Sequence, residues 1–324
     1  MKIEDKHIDL WSKIGSRATF GMSLLEIQKE FQKLQIVTSD VSTSAGLDRF
    51  RKTYPEKFTD VGISEQNLIG VATGLSEVGF DVITTTFSPF QVLRCCEQIK
   101  NNLGYMKSKV TMVGLASGLV LGTLGFTHAS IEEIGAIRSI PNINIISPAD
   151  SLETVKSVYA SLKQNKSTYI RLTGGQPNPK VYNQDYNFEI GKAIKLRNGE
   201  EIAVIVCGAR VKDSLDARDK LFENYKKNIS IYNFHTIKPI DEKMILKISK
   251  KYKYIVTIEE HNIIGGLGSA VAEVLSSVKE NKSKLIKLGV KDTYPPGGEY
   301  SYLIKLLNLD SGSLYKQFKK ILNI

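Results

Sequence analysis

The stretch DVGISEQNLIGVATGLSEVG, residues 60–79, decides the fold class. A short strand is predicted to end at Ile63, and Ser64 is a residue type that often caps the start of a helix. Apolar residues then make up most of the following turns, which predicts a buried helix over 64–78. The stretch therefore predicts a strand followed by a helix that the rest of the chain covers.

Strands and helices alternate on both sides of this stretch in the first half of the chain. The predicted strands lie at 81–86, 109–115, 142–146 and 168–172. The other predicted helices lie at 22–34, 90–103, 130–139 and 151–162. Such alternation is typical of an α/β fold, in which a mainly parallel sheet carries helices on both faces.

The second half repeats this alternation on a smaller scale. Its predicted strands lie at 202–206, 229–232, 255–258 and 285–288. Its predicted helices lie at 211–225, 242–251, 267–277 and 313–321. Residues 173–185, TGGQPNPKVYNQD, are rich in Gly, Pro, Asn and Gln, which predicts a linker. We therefore predict two α/β domains, residues 1–180 and 187–324.

Composition and charge exclude several classes of protein. The 324 residues are 42% hydrophobic and 24% charged, which is typical of folded globular chains rather than disordered or collagen-like ones. The net charge is +10, but no basic run is interleaved with aromatic residues, so we expect no nucleic acid partner. The three cysteines match neither a disulfide framework nor a zinc site, and we expect a reducing, cytoplasmic location.

Two segments bear on whether the chain meets a membrane. The N-terminal MKIEDKHIDLW lacks the apolar core of a signal peptide, so we expect none. Residues 110–131 contain no Lys, Arg, Asp or Glu and space their glycines as in a transmembrane dimer. They also contain polar residues such as Ser117 and His128, which favours a buried strand that runs into a glycine-rich loop. We therefore expect no membrane partner.

Common motifs for phosphate, metal and acyl chemistry are absent from the sequence. It contains no GxxxxGK[ST], HExxH, GxSxG or CxxC pattern, and no metal site is predicted. The run IIGGLGSA at 263–270 matches half of a dinucleotide fingerprint. A tight turn into a helix accounts for its glycines.

Three residues near the deciding stretch have both a structural and a functional interpretation. Glu65 lies in the first turn of the predicted helix, where a carboxylate either complements the helix dipole or shares a proton with a ligand nitrogen. Phe87 and Phe90 follow a Thr-rich strand, where they are either core residues or stack on a flat ring. Ligands of α/β sheets bind at the carboxyl ends of the strands.

Taken in order, six segments of the chain resemble one family. They are DVGISEQNLIG at 60–70, TTTFSPF at 84–90, GFTHASIEEIGAIRSIPNINIISPAD at 125–150, YIRL at 169–172, NFHTIKPID at 233–241 and VTIEEHNIIGGLGSAVAEVL at 256–275. Together they resemble the transketolase family, and specifically the separately encoded C-terminal subunit of split transketolases. The resemblance implies a thiamine diphosphate enzyme with a pyrimidine-binding domain followed by a transketolase C-terminal domain.

The resemblance also implies a second chain. In this family a preceding domain binds the diphosphate and Mg²⁺ of the cofactor, and its GDG signature is missing here. A partner N-terminal subunit is therefore expected to supply that half of each active site, together with most contacts to Mg²⁺. The family expectation for the assembly is an α2β2 heterotetramer with active sites between subunits.

The resemblance assigns cofactor roles to three residues. Glu65 matches the glutamate that activates the cofactor through a nitrogen of its pyrimidine ring. Phe87 and Phe90 match the aromatic pocket around that ring. Leu93 stands where some transketolases have a third aromatic residue, so that wall is aliphatic here.

Four residues match substrate-binding positions of the family. His128 matches a histidine that faces the reacting carbons and serves catalysis as well as binding. Arg17, Ser44 and Arg171 match positions that bind the substrate phosphate, and the guanidinium fork suits a phosphate group.

Two departures from the family pattern bear on the substrate. Ala116 and Leu124 stand where the family usually has a histidine and an aspartate that contact the sugar. Each lost hydrogen bond would cost a polar substrate roughly 1–3 kcal/mol. We therefore expect transfer of a two-carbon ketol unit from a ketose or ketose phosphate to an aldehyde or keto-sugar acceptor. A modified or nucleotide-linked sugar is a candidate acceptor.

Two other functions are compatible with the same fold. One is the β subunit of the first component of a 2-oxoacid dehydrogenase, although FTH and HTIKPID match transketolase better. The other is a non-catalytic scaffold subunit, which the apolar residues at 116 and 124 favour and the retention of Glu65, Phe87, Phe90 and His128 opposes.

Overall fold

The computed structural model describes residues 3–174, 177–277, 279, 281 and 283–324. Residues 175 and 176 of the predicted linker lie outside these described residues. Within the described ranges the chain folds into two sheets that are flanked by helices, which confirms the predicted α/β class. No helix in these ranges is both long enough and apolar enough to span a membrane.

The first half of the chain supplies most of one sheet. Its strands are β1 (Leu34–Thr38), β2 (Phe58–Asp60), β3 (Asp81–Phe87), β4 (Val110–Leu115), β5 (Ile143–Ile146) and β6 (Ser167–Arg171). Its helices are α1 (Asp5–Glu30), α2 (Asp48–Thr53), α3 (Glu65–Glu77), α4 (Ser88–Val92), α5 (Cys96–Gln98), α6 (Glu133–Arg138) and α7 (Ser151–Leu162). These six strands pair in parallel in the order β5–β6–β4–β3–β1–β2.

The second half forms a smaller sheet in the order β12–β11–β8–β9–β7. Its strands are β7 (Ile194–Arg197), β8 (Ile202–Val206), β9 (Ser230–Asn233), β10 (Thr236–Lys238), β11 (Tyr254–Asn262) and β12 (Lys284–Val290). Its helices are α8 (Arg210–Tyr225), α9 (Glu242–Lys251), α10 (Leu267–Ser276), α11 (Tyr300–Leu306) and α12 (Ser311–Leu322). Only β7 in this sheet pairs antiparallel, against β9, within the described residues.

Strand β10 joins the two halves. It comes from the second half of the chain but pairs antiparallel with β5, at the edge of the first sheet. Phe234 and Ile237, on either side of its start, pack in the same hydrophobic cluster as Ile145 and Tyr169 of the first sheet. The two halves therefore share part of one core, and the boundary between 180 and 187 stays a prediction.

Several predicted elements differ from the observed ones. The helix predicted at 22–34 is the end of α1, which begins at Asp5 and has a non-helical residue at Gly15, with φ of +80°. The helix predicted at 90–103 is broken into α4, α5 and a π-helix at Ile99–Tyr105. The predicted helix at 64–78 is confirmed as α3, but it is not covered all round, because Gln66 and Gly70 are exposed.

Candidate active site

The predicted cofactor residues lie at the carboxyl edge of the first sheet. β3 ends at Phe87, and β4 ends at Leu115, directly before the loop that leads to His128. Parallel strands end at the same edge, so these side chains come together although they are distant in sequence. Ala116, the first residue of the loop, is buried with φ of +50°, a conformation that non-glycine residues adopt rarely and mostly at functional sites.

Glu65 begins α3 and is 3% exposed. Its Oε2 lies 2.7 Å from Nη1 of Arg94, a side chain that is 44% exposed. Among the described residues, Arg94 is the one group within ion-pair distance of this carboxylate, and Oε1 has no hydrogen-bond donor. A carboxylate in this position can therefore still accept a hydrogen bond from a ligand.

The two phenylalanines form an aromatic corner beside this carboxylate. The rings of Phe87 and Phe90 are 6.5 Å apart in an edge-to-face arrangement. The ring of His128 lies 5.3 Å from that of Phe90, also edge to face. On Phe90, the guanidinium carbon of Arg94 lies 4.1 Å from the ring centroid. Glu65, Phe87, Phe90 and His128 are thus brought together, with Arg94 between the carboxylate and the ring.

His128 is half-buried, and its ring has one polar neighbour among the described residues. Nδ1 lies 2.9 Å from the hydroxyl of Thr127. This contact leaves Nε2 available to a ligand, where an imidazole can donate to or accept from a sugar hydroxyl. Leu93 is 37% exposed and Leu124 is 57% exposed, so both residues at departures from the family pattern present apolar surface.

Two of the predicted phosphate-binding residues line one cavity of about 530 Å³. Arg17 and Ser44 border it together with Val120, Gly174 and Tyr300. Burial lowers the pKa of Arg17 from its ordinary value, and no acid lies within ion-pair distance of Arg17 among residues 3–174, 177–277 and 283–324. A half-buried guanidinium without an acid partner is a site for an anionic ligand group.

Arg171 does not fit its predicted role. It is 1% exposed, and its guanidinium donates to the Glu133 carboxylate, to the carbonyl of Ser130 at 3.2 Å and to the carbonyl of Glu260 at 2.8 Å. Burial opposes its charge, but Glu133 outweighs burial and raises the pKa of Arg171. Because the guanidinium is enclosed and paired, the prediction that it binds substrate phosphate is wrong for this structure.

Two residues near the site were missed by sequence reasoning. Arg94 lies four positions after Phe90, a spacing that places side chains on one helical face, so a signal existed. Tyr300 comes from the second half of the chain and borders the cavity of Arg17. Its hydroxyl donates to Glu260 Oε2 at 2.7 Å and accepts from Arg210 at 2.9 Å. Nothing local in the sequence predicts that approach.

The residues present suit the ring of the cofactor better than its metal. A buried carboxylate with an open oxygen, beside an aromatic corner, has the chemistry that holds a nitrogen heterocycle. In the part of the chain that the structure describes, no group of three or more His, Cys, Asp or Glu side chains could hold a metal ion.

Two family models match the chain. The pyrimidine binding domain of transketolase matches residues 12–178, and the transketolase C-terminal domain matches residues 191–313. The chain belongs to the transketolase family. Thiamine diphosphate is the cofactor of this family, and the dependence on it follows from membership.

Relatives of similar length are transketolase subunits. A transketolase C-terminal section from Methanocaldococcus jannaschii is 37% identical over 94% of this chain and 95% of its own length. One of the two subunits of an apulose-4-phosphate transketolase from Phocaeicola vulgatus is 33% identical, over 94% and 96%. A solved structure, described as a split gene transketolase in an inactive beta4 tetramer, is 32% identical with a TM-score of 0.84, over 95% and 97%. The chain is therefore a transketolase-like subunit.

Proposed function

We propose that this chain is the C-terminal subunit of a two-chain, thiamine diphosphate-dependent transketolase-like enzyme. The enzyme transfers a two-carbon ketol unit from a ketose to an aldehyde or keto-sugar acceptor. The observation that carries the proposal is the convergence of Glu65, Phe90 and His128 at the carboxyl edge of β3 and β4. A scaffold subunit would not need an open carboxylate oxygen at that place.

Each residue of the group has a distinct role in the proposal. Thiamine diphosphate, when bound, supplies the carbon nucleophile that takes up the ketol unit. Glu65 accepts and returns a proton at a nitrogen of the pyrimidine ring, which a glutamine could not do. Phe87 and Phe90 hold the ring by apolar contact, and His128 hydrogen-bonds an oxygen of the sugar.

The partner chain is part of this proposal. It would bind the diphosphate and most of the Mg²⁺ coordination sphere, since the described residues here offer no metal cluster. The surface beside Glu65 supports a subunit contact, because Ile63 is 75% exposed and Gly70 has no neighbour within 4 Å of where a Cβ would be. An α2β2 heterotetramer is the assembly that we propose.

The substrate that we propose is a sugar with an anionic tail. Arg17 and Ser44 in the cavity of about 530 Å³ are the residues that would bind this tail, and one relative is named for apulose-4-phosphate. The apolar side chains at 116 and 124 favour an acceptor with fewer hydroxyl groups to satisfy, such as a modified or nucleotide-linked sugar.

The test is reconstitution with an N-terminal subunit. The purified chain is mixed with the diphosphate-binding subunit from the same genome, thiamine diphosphate and Mg²⁺, and ketol transfer is followed by mass spectrometry of the products. Donors include apulose 4-phosphate and unphosphorylated ketoses, and 2-oxoacids with an artificial electron acceptor serve as the contrasting panel. Activity only on 2-oxoacids, or full activity of this chain alone, would overturn the proposal.

A further inference from the structure

Arg94 occupies the place between the two groups that are proposed to hold the pyrimidine ring. Its Nη1 is 2.7 Å from Glu65 Oε2, and its guanidinium carbon is 4.1 Å from the centroid of the Phe90 ring. The carboxylate side chain is 4% exposed and the arginine side chain is 44% exposed. A single flat cationic group therefore contacts both the acid and the aromatic face.

This arrangement imitates the contacts of a bound aminopyrimidine. A guanidinium is planar, stacks on aromatic rings and donates N–H groups in its plane to a carboxylate. A pyrimidine ring is also planar, and it would face the same carboxylate through a ring nitrogen. Two planar groups cannot cover the same face of Phe90 and the same oxygen of Glu65 at once, so the two compete.

We propose that Arg94 is a positioning residue that holds Glu65 in the cofactor-free chain and leaves when the pyrimidine ring enters. The inference rests on the proposed function, because it requires Glu65 and Phe90 to bind the cofactor ring. A buried carboxylate without a partner is costly, and the arginine removes that cost until the ring arrives. Entry of the cofactor therefore includes the separation of the Arg94–Glu65 ion pair.

The backbone around Arg94 suits such an exchange. Arg94 lies in the turn between α4 and α5, and its carbonyl accepts a hydrogen bond of 3.2 Å from the side chain of Gln66 on α3. That bond keeps the backbone next to α3 while the side chain moves. The 44% exposure of the side chain gives it a path into solvent without repacking the core.

The experiment measures the affinity for thiamine diphosphate by calorimetry in the reconstituted two-chain complex with Mg²⁺. Arg94→Ala should bind the cofactor roughly three to ten times more tightly than the wild type, because no ion pair or ring contact has to be broken. Arg94→Lys should fall between them, since lysine keeps the charge but not the plane. The matched control is Arg51→Ala, which removes an arginine that is 46% exposed and paired with Asp48 at 3.2 Å.

The outcomes separate this inference from the proposed function. Equal or weaker cofactor binding by Arg94→Ala, with wild-type binding intact, would overturn the role of Arg94 alone. A wild-type complex that binds no thiamine diphosphate would overturn the proposed function as well. A structure of the loaded complex gives a second readout, in which Arg94 should lie off the Phe90 ring. A guanidinium still stacked there would refute the exchange.

Discussion

A carboxylate can exchange a proton with a ring nitrogen only if water does not surround it and a partner can reach it. Glu65 meets both conditions, because it is 3% exposed and one of its oxygens has no donor among the described residues. Its place at the start of α3 fixes it relative to the sheet edge. The proposed chemistry therefore depends on the acid at this position and not on charge in general.

Glu65→Gln tests that dependence on the acid. The amide keeps the size and a hydrogen bond but cannot exchange the proton, so the rate of ketol transfer should fall at least 100-fold, as is typical when general acid–base catalysis is lost. The measurement is the initial rate in the reconstituted complex, beside a thermal melt to show that the chain still folds. Glu77→Gln at the other end of α3 is the control, since Glu77 only accepts a bond of 2.5 Å from Ser108. Equal rates for wild type and Glu65→Gln would refute the role.

Arg171 and Arg17 illustrate how burial separates a structural arginine from a binding one. Removing Arg171 leaves the fully buried Glu133 without its cation, so Arg171→Met should cost about 3–5 kcal/mol of unfolding free energy in urea. Arg17→Met removes a guanidinium with no acid partner among the described residues and should leave stability nearly unchanged while raising the KM for a phosphorylated sugar. The opposite pattern would restore the phosphate-binding role to Arg171.

At the scale of elements, the loop after β4 is held from the second half of the chain. The Leu119 amide donates to Glu260 Oε1 at 2.9 Å, and a Cβ on Gly118 would lie 2.3 Å from that oxygen. Gly118 also has φ of +71°. The glycine therefore allows β11 to bring a carboxylate against the loop that leads to His128.

Gly118→Ala should destabilise the protein more than its matched control. Gly125 in the same loop has φ of +73°, but nothing lies within 4 Å of its added Cβ. Gly125→Ala should therefore cost only the backbone strain, about 1–2 kcal/mol. Gly118→Ala should cost about 3 kcal/mol or more, since Glu260 must also give up hydrogen bonds to Leu119 and Tyr300. Equal urea midpoints for the two variants would contradict the contact between Glu260 and the loop.

The elements that the sequence predicts well are those with local patterns. Strand β3 and helix α3 follow from the Thr-rich run and the apolar turns, and Glu65, Phe87 and Phe90 are found through them. Strand β1 is missed because the helix predicted at 22–34 continues past the end of α1, which stops at Glu30. The enclosure of Arg171 and the approach of Tyr300 depend on contacts between the two halves, for which no local pattern exists.

At the scale of the whole molecule, the two halves enclose titratable groups as they pack. His235 is buried just before β10, where its ring stacks on Phe188 at 4.2 Å and its Nε2 has no partner among the described residues. Burial lowers the pKa of His235 to about 3, against smaller opposite effects of Lys192 and Asp241. Elsewhere in the core, burial raises the pKa of Glu259 to about 7. Folding stability therefore depends on pH in two opposing ways.

His235→Gln isolates one of these contributions. Above its unfolded pKa of about 6.5 the histidine is neutral in both states, and below that value the unfolded chain binds a proton that the folded chain does not. The wild type therefore loses stability through His235 as pH falls, by about 2 kcal/mol between about pH 7.5 and pH 5. Glu259, whose folded pKa is raised, acts in the other direction but equally in wild type and variant. Any packing damage from the substitution is independent of pH, so the difference in urea unfolding free energy between the two proteins should shift by that amount in favour of the variant. Parallel curves over this range would mean that His235 takes up its proton in the folded protein.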